Sequence, residues 1–287
     1  MNAVEDADGQ DTPAPIRGDL VLAPPTLHPA SLRRGHPLAA LDPQIRRWLP
    51  KLSCVSPDGN GDSVPDLTTV AQDYLKAIWN AQEWSPDKVS TKMLAERIGV
   101  SASTASESIR KLADQGLVDH EKYGGVSLTE SGRQAALAVV RRHRLLETFL
   151  VRELGYGWDE VHDEAEILEH AVSDMMLDRI DAKLGHPTRD PHGDPIPAPD
   201  GRVPTPPARR LSDCAEGESG TVARISDADP EMLRYFDAVG ISLDSRLRVT
   251  ARRDFAGIIS VSVESTDGRG SSVELGSPAA QAIWVVA

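Results

Sequence analysis

Between Leu67 and Thr129 glycine interrupts the chain at Gly99, at Gly116 and at the Gly124-Gly125 pair, and each interval carries its own apolar rhythm. Val70, Tyr74, Leu75, Ile78 and Trp79 recur at helical spacing behind Thr68 and Thr69, either of which can cap a helix start. A second helix is predicted behind the Ser90 cap, with Met93, Leu94 and Ile98 on one face and Gly99 in the left-handed position that ends it. Val100-Ser101 turns the chain. A third helix, over about Ala102 to Gln115, is expected to bury Ala105, Ile109 and Leu112, and Gly116 closes it. Leu117 to Tyr123 and Val126 to Thr129 read as two short strands, because Gly124-Gly125 supplies the positive φ angles of a tight hairpin. Helix, helix, short turn, helix, hairpin is the order of a winged helix-turn-helix.

The rest of the chain is organised differently. After Thr129 one long amphipathic helix is predicted to about Leu154-Gly155, and another from His162 to about Leu184 with Gly185 behind it. Residues 186–208 are dense in proline, which removes donors and fixes φ, so they are expected to form an extended connection. From Leu211 the pattern is β: Gly220 to Ile225, Arg246 to Arg252, Ile258 to Val263, Ser272 to Leu275 and Ala282 to Val286 look like the strands of a small barrel. Such barrels bind Pro-rich segments, and residues 186–208 are the intramolecular candidate. Residues 1–62, rich in Pro, Gly and Asp, are expected to be a disordered extension whose one amphipathic hint is Pro43 to Leu49. The fold class is therefore mainly α with small β elements. Its parts are the extension, a winged helix-turn-helix over 63–133, a helical unit with its Pro-rich linker over 134–208, and an SH3-like β-barrel over 209–287.

Charge first speaks against a nucleic-acid partner, since the chain carries a formal net charge of -13 over its 287 residues. Locally the objection weakens. From Thr91 to Tyr123 the bases Lys92, Arg97, Arg110, Lys111 and Lys122 are balanced by Glu96, Glu107, Asp114, Asp119 and Glu121. In the third helix Ser101, Ser103, Thr104, Ser106 and Glu107 stand at the end where a recognition helix meets bases and phosphates; with Arg110, Lys111 and Lys122 they form the expected DNA-facing set. The plainer alternative is that these serines and threonines only cap the helix. Cys54 and Cys214 are too far apart for a thiolate metal motif. With no apolar run of membrane length and no signal-like start, a cytoplasmic location without a membrane partner is expected.

The sharpest chemical pattern is His162-Asp163-Glu164-Ala165-Glu166-Ile167-Leu168-Glu169-His170. At about 100° per residue, His162, Glu166, Glu169 and His170 share one arc of the helix, while Val161, Leu168, Ala171 and Val172 share another. The preceding helix offers His143 and Glu147, again one turn apart. Carboxylate and imidazole donors without a thiolate or thioether suit Mn(II) and borderline divalent ions.

These residues resemble the metalloregulators named after the diphtheria toxin repressor, over about residues 66 to 287. The resemblance is carried by Arg142-His143-Arg144-Leu145, by Val161 to Ala165 followed by Glu169-His170, and by Asp190-Pro191-His192-Gly193-Asp194-Pro195-Ile196-Pro197. It implies a metal-dependent repressor that binds double-stranded palindromic operator DNA as a homodimer through its helical domain and carries a FeoA-like barrel. It further implies a primary site of Asp73, Glu166, Glu169 and His170, and an ancillary site of His143, Glu147 and His162. In iron-type members the positions of Asp73 and Glu166 are typically Met and Cys, whereas manganese-type members have acidic donors there, so Mn(II) is the expected metal. Fe(II) is the alternative, with Zn(II) or Co(II) as in vitro substitutes and no organic cofactor. The implied targets are manganese transport genes. Lys76 departs from the pattern, standing where the best-known manganese sensors have a further glutamate. In iron-type members the barrel also contributes ligands; Ala228 stands at one such position, which leaves Glu231 or Asp229.

Two other classes compete. A di-metal carboxylate oxidase would need Glu-x-x-His on two helices, but Ile167 stands where the glutamate paired with His170 would be. A winged-helix regulator of an organic ligand would use the acidic helix only as a solvated surface.

Overall fold

The computed structural model describes residues 67–85, 87–120, 125–264 and 270–287. The expected extension 1–62 with its Pro43 to Leu49 segment, Cys54, and the hairpin tip with Lys122 lie outside the described residues.

Three helices and a hairpin open the fold. Helix α1 (Thr69–Glu83) is capped by Thr68, whose hydroxyl accepts from the Ala71 amide at 3.3 Å, and it buries Tyr74, Leu75 and Ile78. Val70, counted in the apolar rhythm, is exposed instead. Ser90 caps α2 (Thr91–Ile98), which ends at Gly99 with φ of 74°. Helix α3 (Ala102–Asp114) buries Ala105, Ile109 and Leu112. Strands β1 (Val118–His120) and β2 (Val126–Leu128) pair antiparallel with Val118 opposite Leu128. Their apolar side chains close one core with α1 to α3, completing the winged helix-turn-helix.

Helix α4 (Glu130–Phe149) follows directly, capped by Thr129, and runs into a π-helical turn at Leu150–Leu154 that Gly155 terminates. At its start Gly132 lies so close to the hairpin that an added Cβ would stand 1.8 Å from the Leu117 carbonyl oxygen. The single helix expected from His162 to Leu184 is two: α5 (Val161–Glu169) and α6 (Asp174–Lys183). The break arises because the Ser173 hydroxyl accepts from the Met176 amide and starts a new helix, a local signal hidden inside an apolar rhythm that continues across it.

The proline-dense stretch is also not simply an extended connector. Asp190, His192, Asp194 and Ile196 are buried, and Asp190 Oδ1 accepts from the amides of His192 at 2.8 Å and Asp194 at 2.9 Å, folding the segment on itself. Beyond it β3 (Arg209–Arg210), β4 (Ser219–Ile225), β5 (Arg246–Arg253), β6 (Ile258–Glu264), β7 (Ser271–Gly276) and β8 (Ile283–Val286) form one antiparallel sheet in the order β3-β8-β4-β5-β6-β7. Sequence periodicity overlooked β3 and α7 (Pro230–Ala238), the latter capped by Asp229 and burying Leu233 and Phe236 in the sheet's core. Opposite β8, Ala223 is an extra residue in β4. There Gly193, with φ of 92°, approaches the Ala223 carbonyl so closely that an added Cβ would stand 2.1 Å from it, and the Ile225 amide donates to the His192 carbonyl at 2.9 Å. At His192 and Gly193 the proline segment thus packs on the sheet domain.

Gly132→Ala is expected to push α4 off the hairpin and lower the free energy of unfolding by about 3 kcal/mol. A urea titration showing a loss under about 0.5 kcal/mol would refute that close approach.

Candidate metal centre

Helix periodicity places the donors on α5 and α4, and packing brings α1 to them. Asp73, Glu169 and His170 offer ligand atoms within 4.8 Å of one another. His170 Nε2 lies 2.9 Å from Asp73 Oδ1 and 3.3 Å from Glu169 Oε1. His170 Nδ1 stands 3.0 Å from Gln72 Oε1, and the Gln72 amide is oriented by donating to the Leu67 carbonyl at 2.9 Å. Both ring nitrogens face oxygen acceptors, and a proton kept on Nδ1 toward Gln72 would leave Nε2, the nitrogen facing the carboxylates, able to hold a metal. Burial raises the Asp73 carboxyl above its usual range, an effect that His170 and Lys76 only partly offset.

A second group joins His143 and Glu147 of α4 to His162 of α5. His143 Nε2 is 2.9 Å from Glu147 Oε1 and 3.2 Å from His162 Nδ1, while its Nδ1 is 2.6 Å from Glu169 Oε2. Burial alone would lower His143, but Glu147 and Glu169 override it and hold the ring up at about 10. Burial would likewise raise Glu147, yet His143 and His162 hold it well below the carboxylate range. The fully buried Glu169 therefore belongs to both neighbourhoods. Its other oxygen accepts from Lys76 Nζ at 2.6 Å, and Lys76 also donates to Glu166 Oε1 at 3.1 Å. Burial pulls Lys76 down, and the two carboxylates outweigh it and raise it.

The third group, Glu147, Asp190 and His192, is buried throughout. His192 Nε2 donates to the Trp158 carbonyl at 2.7 Å, while Nδ1, 3.8 Å from Glu147 Oε2, is buried without a hydrogen-bond partner. An orphaned imidazole nitrogen turned to a carboxylate suits a cation between them. Burial and Asp194 push Asp190 up to about 8. Asp227, from the sheet domain, places Oδ2 3.5 Å from His162 Nδ1. His143, Glu147, His162, Asp190, His192 and Asp227 all line one cleft of about 690 Å³.

The expected donors do not all converge. Glu166, with its side chain 51% exposed, belongs to none of the three groups and is held by Lys76, with His162 Nε2 at 3.6 Å. Glu231 is exposed and also in none of them, and Asp229 is spent capping α7 through the Glu231 amide at 2.9 Å. The sheet domain brings Asp227 instead, because the chain turns into α7 just beyond it. Gln72, Asp190, His192 and Asp227 were missed as site residues; only Asp190-Pro191-His192 left a signal, masked by the prolines that read as linker. Across the groups every donor is oxygen or imidazole nitrogen, and Cys214 is buried in the core of the sheet domain, so the set fits a hard or borderline divalent ion.

On α3, Ser101, Ser103, Thr104, Ser106, Glu107, Arg110 and Lys111 are all exposed. Ser101 is the helix cap, accepting from the Thr104 amide at 3.2 Å, and Glu107 pairs with Lys111 at 2.8 Å.

Comparison with known proteins gives three successive matches. Residues 66–126 match the iron dependent repressor N-terminal DNA binding domain, 129–198 its metal binding and dimerisation domain, and 209–287 the FeoA domain. The iron-dependent repressor IdeR of Mycobacterium tuberculosis is 36% identical over 132 residues, 46% of this chain and 57% of that protein. The chain thus spans 57% of the length of the mycobacterial relatives it matches. The diphtheria toxin repressor of Corynebacterium efficiens is 30% identical over 200 residues, 64% of this chain and 84% of that one. Among solved structures, a manganese-dependent transcriptional repressor in complex with manganese is 78% identical with a TM-score of 0.72, covering 75% of this chain and 99% of its own. ScaR with bound Cd2+ is 33% identical with a TM-score of 0.65, covering 75% and 98%.

The metal-free protein should lose stability as pH rises. His143 is raised from about 6.5 unfolded to about 10 folded, so its contribution is complete below about pH 6.5 and gone above about pH 10. Asp190, raised to about 8, acts in the same direction across its lower window. Denaturant midpoints in chelator should fall from pH 6.5 to 9.5, and His143→Gln should flatten the curve. A midpoint that stays level or rises in the unmodified chain would contradict this.

Proposed function

We propose that this chain, which belongs to the iron-dependent repressor family, is a manganese-responsive transcriptional repressor that binds a palindromic operator as a homodimer. One observation carries the reading: Asp73 of α1, inside the DNA-binding unit, meets Glu169 and His170 at the end of α5 in the helical unit. Asp73, Glu169 and His170 would hold the ion, with Glu166 assigned as a fourth donor. When bound, a divalent ion supplies the positive charge that lets these carboxylates approach without mutual repulsion. Joining α1 to α5 in that way fixes where α3 stands relative to the dimer axis, and the spacing of two recognition helices is what a palindrome reads. His143, Glu147 and His162 are the proposed ancillary set, and Asp190, His192 and Asp227 extend it.

Exposed apolar side chains at Ile167, Met175 and Met176 on α5 and α6 support a dimer surface there. Ile167, 70% exposed at the position an oxidase would need for a glutamate, gives that enzyme reading no support. Manganese is favoured by the oxygen and imidazole donors, by the lack of any sulfur donor among them, and by the 78% identical relative named for manganese. Iron is the second reading, favoured by the names of the mycobacterial relatives. We assign manganese transport genes as targets and the cytoplasm as the place of action. Among the described residues no helix is long and apolar enough to cross a membrane.

Mn(II) should raise operator affinity roughly 5- to 150-fold over chelator, the usual range of such coupling, and operator should raise Mn(II) affinity equally. Asp73→Ala and His170→Ala should abolish the increase, and parallel titrations with Fe(II), Zn(II) and Co(II) rank the metals. Operator affinity indifferent to metal would end this reading. In the Mn(II)-loaded protein, Arg110→Ala should reduce the salt dependence of operator binding by about one phosphate contact; an unchanged slope would remove Arg110 from the interface.

A further inference from the structure

Three carboxylates, Asp73, Glu166 and Glu169, gather where one ion is proposed to bind. Lys76, one helical turn beyond Asp73 on α1, already pairs with two of them: its ammonium lies 2.6 Å from Glu169 Oε1 and 3.1 Å from Glu166 Oε1, with only 9% of its side chain exposed. With His143 already at the other oxygen of Glu169, Lys76 gives that buried carboxylate a second cationic partner before any metal arrives. We infer that Lys76 is a tethered cation that limits this site to one divalent ion and weakens the affinity for it. The inference rests on the metal-binding reading given above.

The geometry allows little else. The Lys76 ammonium already occupies the space between Glu166 and Glu169 and engages one oxygen of each. Glu169 Oε1, the oxygen that accepts from Lys76, is also the one 3.3 Å from His170 Nε2. An ion held through that oxygen and His170 therefore sits beside a fixed positive charge in partly desolvated surroundings, where like charges repel strongly. Lys76 cannot withdraw cheaply, because Glu169 is buried and would lose a charged partner. The same contact ties α1 to α5 in the absence of metal. Lys76 thus sets how much metal is needed before the ion takes over that link.

Calorimetric Mn(II) titration and metal analysis of the full chain test this, with thermal melts of each variant in chelator and in Mn(II). Lys76→Met and Lys76→Gln should bind Mn(II) roughly tenfold tighter or more, with a lower melting temperature in chelator and a larger gain on adding metal. Lys76→Glu should take up one additional Mn(II) per chain, and Lys76→Arg should behave as the unmodified chain. A lysine with only a structural role would lower both melts together and leave the affinity unchanged. Wild-type affinity in both neutral variants, or wild-type stoichiometry in Lys76→Glu, overturns the inference while leaving metal binding intact. If the unmodified chain binds no Mn(II), the metal-binding reading and this inference fall together.

Discussion

A single buried carboxylate, that of Glu169, organises the centre of the molecule. A fully buried charge is tolerable only when it is paired on every side, and Glu169 has Lys76 and His170 at one oxygen and His143 at the other. Each of those partners comes from a different stretch of chain: α1, the end of α5, and α4. Satisfying one charge therefore forces the DNA-binding unit and the helical unit together. It also makes the two proposed metal groups neighbours, since His143 belongs to one and Glu169 to the other.

The sheet domain is tied to the same centre by a second polar network. Arg144, next to His143, reaches Glu83 at the end of α1 with two hydrogen bonds and the Pro195 carbonyl at 2.6 Å. Asp194 then accepts from Trp84 and from Arg224 of β4, each at 2.6 Å. The Arg224 guanidinium is centred 5.0 Å from the Trp84 ring and 4.3 Å from the Trp284 ring, a cation between two aromatic faces. Proline in residues 186–208 thus stiffens a segment that carries buried acids to both sides. This is why a stretch that looks like a linker behaves as part of the core.

Much of this architecture is legible in the order of the residues. Gly99 and Gly116 end their helices as expected because each takes a positive φ that other residues resist, and Ser90 and Ser101 cap because their hydroxyls reach an amide three residues on. The ligand arc of α5 follows from helical geometry, as does the pairing of His143 with Glu147. Other features left no local trace. The break at Ser173 is concealed by apolar spacing that continues on both sides. Asp227 and Asp190 are acids among many acids, and only their neighbours in space distinguish them.

Sequence alone determined the winged helix-turn-helix, the β character of the C-terminal domain and the chemical class of the donors, because capping, periodicity and side-chain chemistry act within a few residues. Tertiary structure decided which side chains meet: Asp73 of α1 reaches His170, Glu166 turns to Lys76, and Asp227 rather than Glu231 reaches His162. Those choices depend on how separate elements pack and on which buried charges must be paired. Spacing along the chain cannot fix them, because each is settled between residues 65 to 97 apart in the sequence.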